Sequence, residues 1–181
     1  MSRVPLVTAA TASGDARAVL SEIHGAFGAT PNMFRAVANS PAALRSMWGA
    51  FGALGSGVLG AALSEKIAVA VADRNRCEYC LAAHTALGRK AGATAQEMSE
   101  AQAGRAQDPQ TAAALSFALK LVNDRGQVTD ADVAQLREAG FNDEQIVEIL
   151  AHVALNLFTN YVNVAFAVPV DFPKISLRAA A

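Results

Sequence analysis

Charge is scarce in this sequence. Asp, Glu, Lys and Arg make up only 17% of its 181 residues, whereas 52% are hydrophobic, and the formal net charge is -1. Because it has no run of Lys or Arg, the chain lacks the basic surface that binds nucleic acid or an anionic membrane. The composition is typical of a globular domain with a large core, and the low charge suggests that further surface is buried between subunits. The length predicts a single domain over residues 1–181.

A secretory signal and a membrane span are also missing. The first 20 residues contain no charged region followed by an apolar stretch and a small-residue cleavage site, so we expect a cytoplasmic protein. The most apolar segment, residues 146–170, contains five polar side chains of kinds that a membrane span rarely tolerates. The segment therefore predicts a buried helix. Its polar residues are Glu148, His152, Asn156, Asn160 and Asn163.

Strand patterns are absent as well, since no run of alternating apolar and polar residues is bounded by hairpin turns. We predict an almost entirely α-helical fold. Asp15 is the predicted N-cap of the first helix and Ser64 that of the fourth. The fourth helix, apolar almost all round, and the fifth are predicted to form the buried centre. Gly, Pro and capping residues bound the predicted helical segments, which are 15–28, 31–40, 41–55, 65–75, 77–92, 94–104, 108–126, 129–140 and 142 or 143 to about 166. A proline-broken tail is expected from about residue 167.

Two segments of the chain are weakly similar to each other. Residues 64–84 align with residues 143–163, with Cys77 over Asn156, Cys80 over Thr159 and His84 over Asn163. If an ancestral helical unit was duplicated, only the first copy kept the thiols. An accidental match between two apolar helices accounts for the similarity equally well.

Cysteine is rare too: the chain has two, Cys77 and Cys80, in the stretch RCEYCLAAH. On a helix they share one face with His84, because the three positions recur at i, i+3 and i+7. In a reducing compartment such a pair favours metal binding or redox catalysis over a structural disulfide framework. Since a helix N-terminus and a nearby basic group stabilise a thiolate, position favours Cys77 as the more exposed thiol with the lower pKa. The candidate basic groups are Arg74, Arg76 and His84.

The sequence leaves several interpretations of the two cysteines and His84 open. Free cysteines are often buried as small hydrophobic residues. Zinc takes four protein ligands in a structural site or three plus water in a catalytic one, and Cys77, Cys80 and His84 supply three. His84 alone could be a core histidine with satisfied hydrogen bonds. Covalent haem attachment is excluded, because Leu81 rather than a histidine follows the second cysteine.

A polar stripe marks the predicted last helix, where Glu148, His152, Asn156 and Asn160 recur every four residues on an otherwise apolar surface. Such residues need hydrogen-bond partners if they are buried. We favour hydrogen bonds between helices or subunits, and the alternative places His152 at the edge of an active site. His24, on the first predicted helix, has no such companions and is interpreted as a surface or packing residue.

Glu65 completes a longer pattern, Glu-x11-Cys-x2-Cys-x3-His, with Cys77, Cys80 and His84. By itself Glu65 could simply be a carboxylate that favours a helix start. The pattern, however, resembles that of the AhpD-like alkylhydroperoxidases of the carboxymuconolactone decarboxylase superfamily. The stretches TPNMFRAVANSPAAL before the motif and FTNYVN and VDFP after it are similar to the longer, peroxidase-related members. The resemblance therefore extends over most of the chain.

This resemblance implies an all-helical AhpD-like fold, assembly as homo-trimers or homo-hexamers, and a thiol-dependent peroxidase without metal, haem or other bound cofactor. It makes Cys80 the thiol that reacts with the hydroperoxide and Cys77 the thiol that resolves the sulfenic acid as a disulfide. His84 and Glu65 would relay the proton of the cysteine pair. An external dithiol, such as a lipoyl-bearing or thioredoxin-like protein, would restore the thiols. Tyr79 departs from the pattern, because some family peroxidases carry a second histidine there.

The leading hypothesis is therefore a homo-oligomeric, all-helical, cytoplasmic thiol peroxidase or disulfide reductase that works through Cys77 and Cys80. One alternative is a redox sensor without catalysis, in which the same disulfide changes an oligomer interface. Another is a structural oligomer with inert buried thiols. A third is an enzyme like carboxymuconolactone decarboxylase itself, which would leave the redox motif unexplained.

Overall fold

The computed structural model describes residues 1–179, which form nine α-helices and no strand. The prediction of an all-α fold is confirmed. Every predicted helix is present, with ends that differ by a few residues from the predicted segments. The helices are α1 (Gly14–Phe27), α2 (Asn32–Val37), α3 (Pro41–Gly55), α4 (Ala61–Arg74), α5 (Glu78–Lys90), α6 (Ala95–Gln102), α7 (Pro109–Asn123), α8 (Asp130–Glu138) and α9 (Asp143–Ala165).

The last four helices begin at the capping residues that the sequence indicates. The side chains of Thr94, Asp108, Thr129 and Asn142 each accept a hydrogen bond from the backbone N–H three residues later. In α6, α8 and α9 the third helical residue also bonds back to the backbone of the capping residue, which completes a capping box. Both partners lie within one turn, so the sequence alone is sufficient to predict these ends.

Two predicted caps are wrong. α1 begins at Gly14 with Ser13 as N-cap, and Asp15 lies in the first turn, where its charge still favours a helix N-terminus. α4 begins one turn before the predicted start because Gly60, at its N-cap, has a φ of 76°, a left-handed conformation that glycine adopts readily. Ser64 therefore lies inside α4, and its hydroxyl donates to the Gly60 carbonyl oxygen at 3.0 Å.

α4 lies at the centre of the molecule. It packs against α5, α6, α7 and α9, and its residues 67–72 are all buried. α5 packs against α4 and is buried over residues 79–84. The prediction that the fourth and fifth helices form the buried centre is therefore confirmed. α9 packs against both, and it is the buried helix predicted from the apolar segment. Within residues 1–179, no helix is long and apolar enough to cross a membrane.

A tight turn joins α4 to α5. Arg76 has a φ of 57°, and the Cys77 N–H donates to the Ala72 carbonyl oxygen at 2.9 Å. This turn reverses the chain and leaves Cys77 immediately before the first residue of α5. It also distinguishes the two similar segments of the sequence, because residues 64–84 contain the turn whereas residues 143–163 form one continuous helix.

The tail after α9 lies against the body of the protein as an irregular segment. Asp171 accepts a hydrogen bond from the Asn32 N–H at 2.7 Å, at the start of α2. Further along, the Arg178 N–H donates to Asp73 at 3.0 Å, at the end of α4. These bonds hold the tail across α5, between α2 and α4. The last two residues of the predicted tail, 180 and 181, lie outside the described residues.

Candidate active site

Cys77 is the N-cap residue of α5. Its Sγ accepts the backbone N–H of Cys80 at 3.3 Å, so the two cysteines meet across the first turn of the helix. Each cysteine is 1% exposed. The expectation that Cys77 is the more exposed thiol is therefore wrong, because the surrounding helices and the tail enclose the start of α5.

α9 supplies the polar environment of Cys80. The Asn163 Nδ2 donates to the Cys80 Sγ at 3.2 Å. The Thr159 Oγ1 lies 3.8 Å from the same sulfur, while its hydroxyl hydrogen is donated to the Asn156 carbonyl oxygen at 3.1 Å. Asn163 is thus the donor that can stabilise a Cys80 thiolate without rearrangement.

The two thiols differ in acidity. The hydrogen bond from Cys77, the positive charge of His84 and the Asn163 amide outweigh burial and lower the pKa of Cys80 to about 6. The same hydrogen bond with Cys80, together with burial, raises the pKa of Cys77 well above its ordinary value. One thiol therefore ionises at the expense of the other. Cys80 is the low-pKa thiol, and the positional argument for Cys77 is wrong.

His84 follows Cys80 by one helical turn and forms an ion pair with Glu65. Its Nδ1 lies 2.7 Å from the Glu65 Oε2, which joins α5 to α4. Burial opposes the imidazolium form, but the Glu65 carboxylate and then Cys80 outweigh burial and raise the pKa of His84. Of the three predicted basic groups, His84 is the one beside the thiols. Arg74 and Arg76 are exposed, and Arg76 donates to the Arg178 carbonyl oxygen.

Two cavities meet at His84. The first, called here the polar cavity, has a volume of about 140 Å³. Its polar lining residues are Ser64, Glu65, His84, His152, Asn156 and Thr159, and glycine and apolar residues such as Phe51, Leu54 and Leu155 line the rest. The second, of about 40 Å³, is almost wholly apolar and contains Cys80. Its other lining residues include Phe27, Phe34, Phe51, Tyr79, Leu87 and Phe172. The structure thus brings together all four residues of the motif, with a polar space on the Glu65 side and an apolar space on the Cys80 side.

Comparison with known proteins agrees with this arrangement. The carboxymuconolactone decarboxylase family model matches residues 41–124, which include all four motif residues. A peroxidase-related protein from Ralstonia eutropha JMP134, described as an alkylhydroperoxidase AhpD core, is 29% identical and has a TM-score of 0.86, with 94% of this chain and 92% of that chain covered. By its family model over residues 41–124 and by this structure over nearly its whole length, the chain is similar to the AhpD-like carboxymuconolactone decarboxylase superfamily.

Other solved structures share the fold over nearly the whole chain. A peroxidase-related protein from Silicibacter sp. TM1040 is 26% identical with a TM-score of 0.82, and 93% of this chain and 91% of that chain are covered. The debrominase Bmp8, solved in complex with 2,3,4-tribromopyrrole, is 18% identical with a TM-score of 0.76 and the same coverage, so it shares the fold alone. No curated protein matches the sequence.

Tyr79, where some AhpD-like peroxidases carry a second histidine, has a structural role in this chain. Its hydroxyl oxygen accepts the Met33 N–H at 3.2 Å, and its ring packs edge-on against Phe172 at 5.6 Å. Burial and the neighbouring Asp171 raise the pKa of Tyr79, so it remains a neutral phenol. Tyr79 therefore joins α5 to α2 and to the tail, beside the apolar cavity.

The polar stripe of α9 divides between the two interpretations. The Glu148 carboxylate accepts the backbone N–H groups of Val58 and Leu59, and Asn160 accepts from the Asn75 amide at 3.0 Å. These bonds between elements match the favoured interpretation. His152, in contrast, lines the polar cavity with Glu65 and His84, as the alternative suggested.

Thr159 and Asn163 are the site residues that sequence reasoning missed. They lie on the same face of α9 as His152 and Asn156, so the polar stripe continues to the end of the helix. Three buried polar atoms on this face have no hydrogen-bond partner among the described residues: Asn156 Oδ1, Asn160 Nδ2 and Asn163 Oδ1. The sequence signal for Thr159 and Asn163 was their position on the same helical face as the four residues of the predicted polar stripe.

The zinc interpretation has no geometric support. Among residues 1–179, no group of three or more His, Cys, Asp or Glu side chains is arranged to hold a metal ion. His24, the remaining histidine, is exposed and lies 3.3 Å from the Thr30 hydroxyl, far in sequence from the motif.

Proposed function

We propose that the protein is a thiol-dependent peroxidase that reduces hydroperoxides through Cys80 and Cys77. The observation that carries this proposal is the environment of the Cys80 sulfur, which accepts the Asn163 amide at 3.2 Å beside a histidine paired with Glu65 at 2.7 Å. A thiolate is the nucleophilic form of cysteine, and a pKa of about 6 leaves most of Cys80 ionised at neutral pH.

In the first step of the proposed reaction, the Cys80 thiolate attacks one oxygen of the hydroperoxide ROOH. The S–O bond forms, the O–O bond breaks, and the leaving alkoxide takes a proton from the His84 imidazolium. The products are the Cys80 sulfenic acid, the alcohol ROH and neutral His84. Glu65 stabilises the imidazolium before the step, which supports its role as a partner of the proton donor.

In the second step, neutral His84 takes the proton of the Cys77 thiol. The Cys77 thiolate attacks the Cys80 sulfur, the S–S bond forms, and hydroxide leaves with that proton as water. An external dithiol then reduces the disulfide, and no bound cofactor takes part. We assign the reaction to the cytoplasm, where thiols are kept reduced, with a lipoyl-bearing or thioredoxin-like protein as the reductant.

We further propose that the protein assembles with copies of itself. The outer face of α9 carries a stripe of exposed apolar side chains, which one chain leaves uncovered and which a second copy would bury. The stripe consists of Val147, Leu150, Phe158, Tyr161 and Val164, which are 66%, 50%, 38%, 60% and 48% exposed. The low charge of the chain and the resemblance to family trimers and hexamers support the same assembly.

Burial of both sulfurs favours a second candidate, a structural oligomer with inert thiols. At 1% exposure, neither cysteine meets a peroxide or a reductant unless side chains around the apolar cavity move. Reaction with a thiol reagent separates the two candidates. An enzyme with a Cys80 thiolate reacts within minutes in the native state, whereas inert thiols react only after unfolding.

Turnover tests the proposed function. With excess cumene hydroperoxide and dithiothreitol, we expect the wild-type protein to consume many equivalents per chain and the Cys80→Ser variant none. The matched control is His24→Gln, a change at an exposed histidine outside the site, which should retain wild-type turnover. Consumption of a single equivalent would indicate a redox sensor, and consumption of none would contradict the peroxidase proposal.

A further inference from the structure

The polar cavity on the Glu65 side contains a histidine that the proposed reaction does not use. His152 lines this cavity with Glu65 and His84. Exposed residues at the end of α3 and the start of α4, Gly55, Gly60 and Ala61, line the same space, so it reaches the protein surface there. The cavity therefore connects solvent to the carboxylate that pairs with His84.

Hydrogen bonds indicate which ring nitrogen of neutral His152 carries the hydrogen. Its Nε2 lies 3.4 Å from the Ser64 hydroxyl oxygen, and that hydroxyl donates its own hydrogen to the Gly60 carbonyl oxygen at 3.0 Å. The Ser64 oxygen is therefore the acceptor, and the Nε2 carries the hydrogen. The Nδ1 of neutral His152 is left as a base, with no hydrogen-bond partner within the described part of the chain.

The polar cavity also contains hydrogen-bond acceptors that lack donors. The Asn156 Oδ1, on a side chain that is 5% exposed, lacks a partner among the described residues and belongs to the same lining. Glu65 adds a carboxylate. A cavity of about 140 Å³ has room for several water molecules, which would supply the missing donors on its polar side.

The proposed reaction needs protons from solvent at one stage. An external dithiol attacks as its thiolates, after releasing its two protons to solvent, so reduction of the Cys77–Cys80 disulfide yields two cysteine thiolates and one external disulfide. The resting site has a Cys77 thiol, a Cys80 thiolate and a His84 imidazolium, so two protons must be taken up. The oxidation steps, in contrast, use the two protons that the resting site holds: the His84 proton leaves with the alcohol, and the Cys77 proton leaves through His84 with the water. Proton uptake therefore belongs to the reduction half of the cycle.

We infer that the polar cavity is the route of proton uptake and that His152 passes protons from solvent to Glu65 and His84. This inference rests on the proposed peroxidase function. His152 acts through Glu65 and contacts neither sulfur, so it is a positioning residue rather than a catalytic one. In this scheme the two cavities that meet at His84 have different roles. Protons reach His84 through the polar cavity, and the peroxide reaches Cys80 through the apolar one.

The charges around His152 suit a carrier that is neutral at rest. Burial lowers the pKa of His152, and the charges of Glu148 on α9 and Glu65 on α4 oppose this shift, while His84 on α5 adds to it. The α3 side of the cavity contributes uncharged residues, among them Phe51 and Leu54. A neutral imidazole can accept a proton from water and release it towards His84, whose pKa the Glu65 carboxylate raises.

The test measures the two halves of the cycle separately in wild type, His152→Gln and the control His24→Gln. Oxidation is followed as thiol loss after one equivalent of cumene hydroperoxide. Reduction is followed as the return of the thiolate absorbance when the oxidised protein is mixed with dithiothreitol. For His152→Gln we expect unchanged oxidation, reduction slower by about tenfold, and recovery of the rate when imidazole is added to the buffer.

Reduction of His152→Gln at the wild-type rate would overturn the inference, and so would a slow rate that imidazole does not restore. Ser64→Ala is a smaller change at the hydrogen-bond partner of His152, and it should slow reduction to a lesser extent. If His152→Gln does not fold, reduction of Ser64→Ala at the wild-type rate would count against the inference. If wild-type protein forms no disulfide with the peroxide, the proposed function fails first, and the inference fails with it.

Discussion

The acidity of Cys80 depends on two neighbours in the motif and on one residue far away in the sequence. Position at a helix start favoured Cys77, but the hydrogen bond from Cys77, the His84 charge and the Asn163 amide all lower the pKa of Cys80 instead. The motif identified the four residues that meet in the site. It could not identify Asn163, the further donor to the thiolate, because this residue comes from α9, 83 residues later in the chain.

Replacing Asn163 with leucine should raise the pKa of Cys80. The variant keeps a similar volume and removes a hydrogen bond to a charged group, which corresponds to a rise of about one pH unit. A thiolate titration at 240 nm should give a midpoint of about 6 for wild type, with reactivity lost as the pH falls through it, and a higher midpoint for Asn163→Leu. Thr159→Val is the matched control and should shift the midpoint less, since the Thr159 hydroxyl already donates to a carbonyl. An unchanged midpoint for Asn163→Leu would mean that this amide does not stabilise the thiolate.

At the scale of helices, local capping could be predicted and long-range support could not. Thr94 and Asn142 bond to N–H groups within their own first turn, so pattern alone located their helices. The start of α4 depends instead on the conformation of Gly60 and on Glu148, which holds the preceding loop from α9. Gly57, in that loop, lies close to the Glu148 carboxylate, because a Cβ added to it would be 2.5 Å from the carboxylate oxygen.

Glu148→Ala should therefore destabilise the protein through the loop between α3 and α4. The change leaves the Val58 and Leu59 N–H groups without their charged acceptor, at a cost of about 1.5 kcal/mol. Glu144→Ala, on the exposed first turn of the same helix, should cost less than about 1 kcal/mol. Urea unfolding at pH 7 measures both, and equal effects would show that the Glu148 bonds add nothing.

At the scale of the whole molecule, different features of the sequence predicted the fold class and the assembly. The absence of strand patterns predicted the helical fold, which the structure confirms. Low charge suggested an interface but could not locate it, because the α9 stripe is recognisable only once the inner and outer faces of the helix are known. The assembly itself stays a prediction.

A charge on the outer face of α9 should break that assembly. Tyr161→Glu and Leu150→Glu each add a carboxylate to the exposed apolar stripe, so we expect light scattering to give the molar mass of one chain instead of several. Val170→Glu, an exposed apolar position on the tail, is the control and should keep the wild-type mass. A wild-type protein that is already monomeric would contradict the proposed interface.

The central claim is that Cys80 and Cys77 form a redox pair in which Cys80 reacts first. Intact mass and free-thiol count after one equivalent of cumene hydroperoxide test it directly on wild type, Cys77→Ser and Cys80→Ser. We predict the loss of two hydrogens and both thiols in wild type, a trapped sulfenic acid in Cys77→Ser, and no oxidation in Cys80→Ser. Unchanged thiols in wild type, or a sulfenic acid that forms only on Cys77, would contradict the claim.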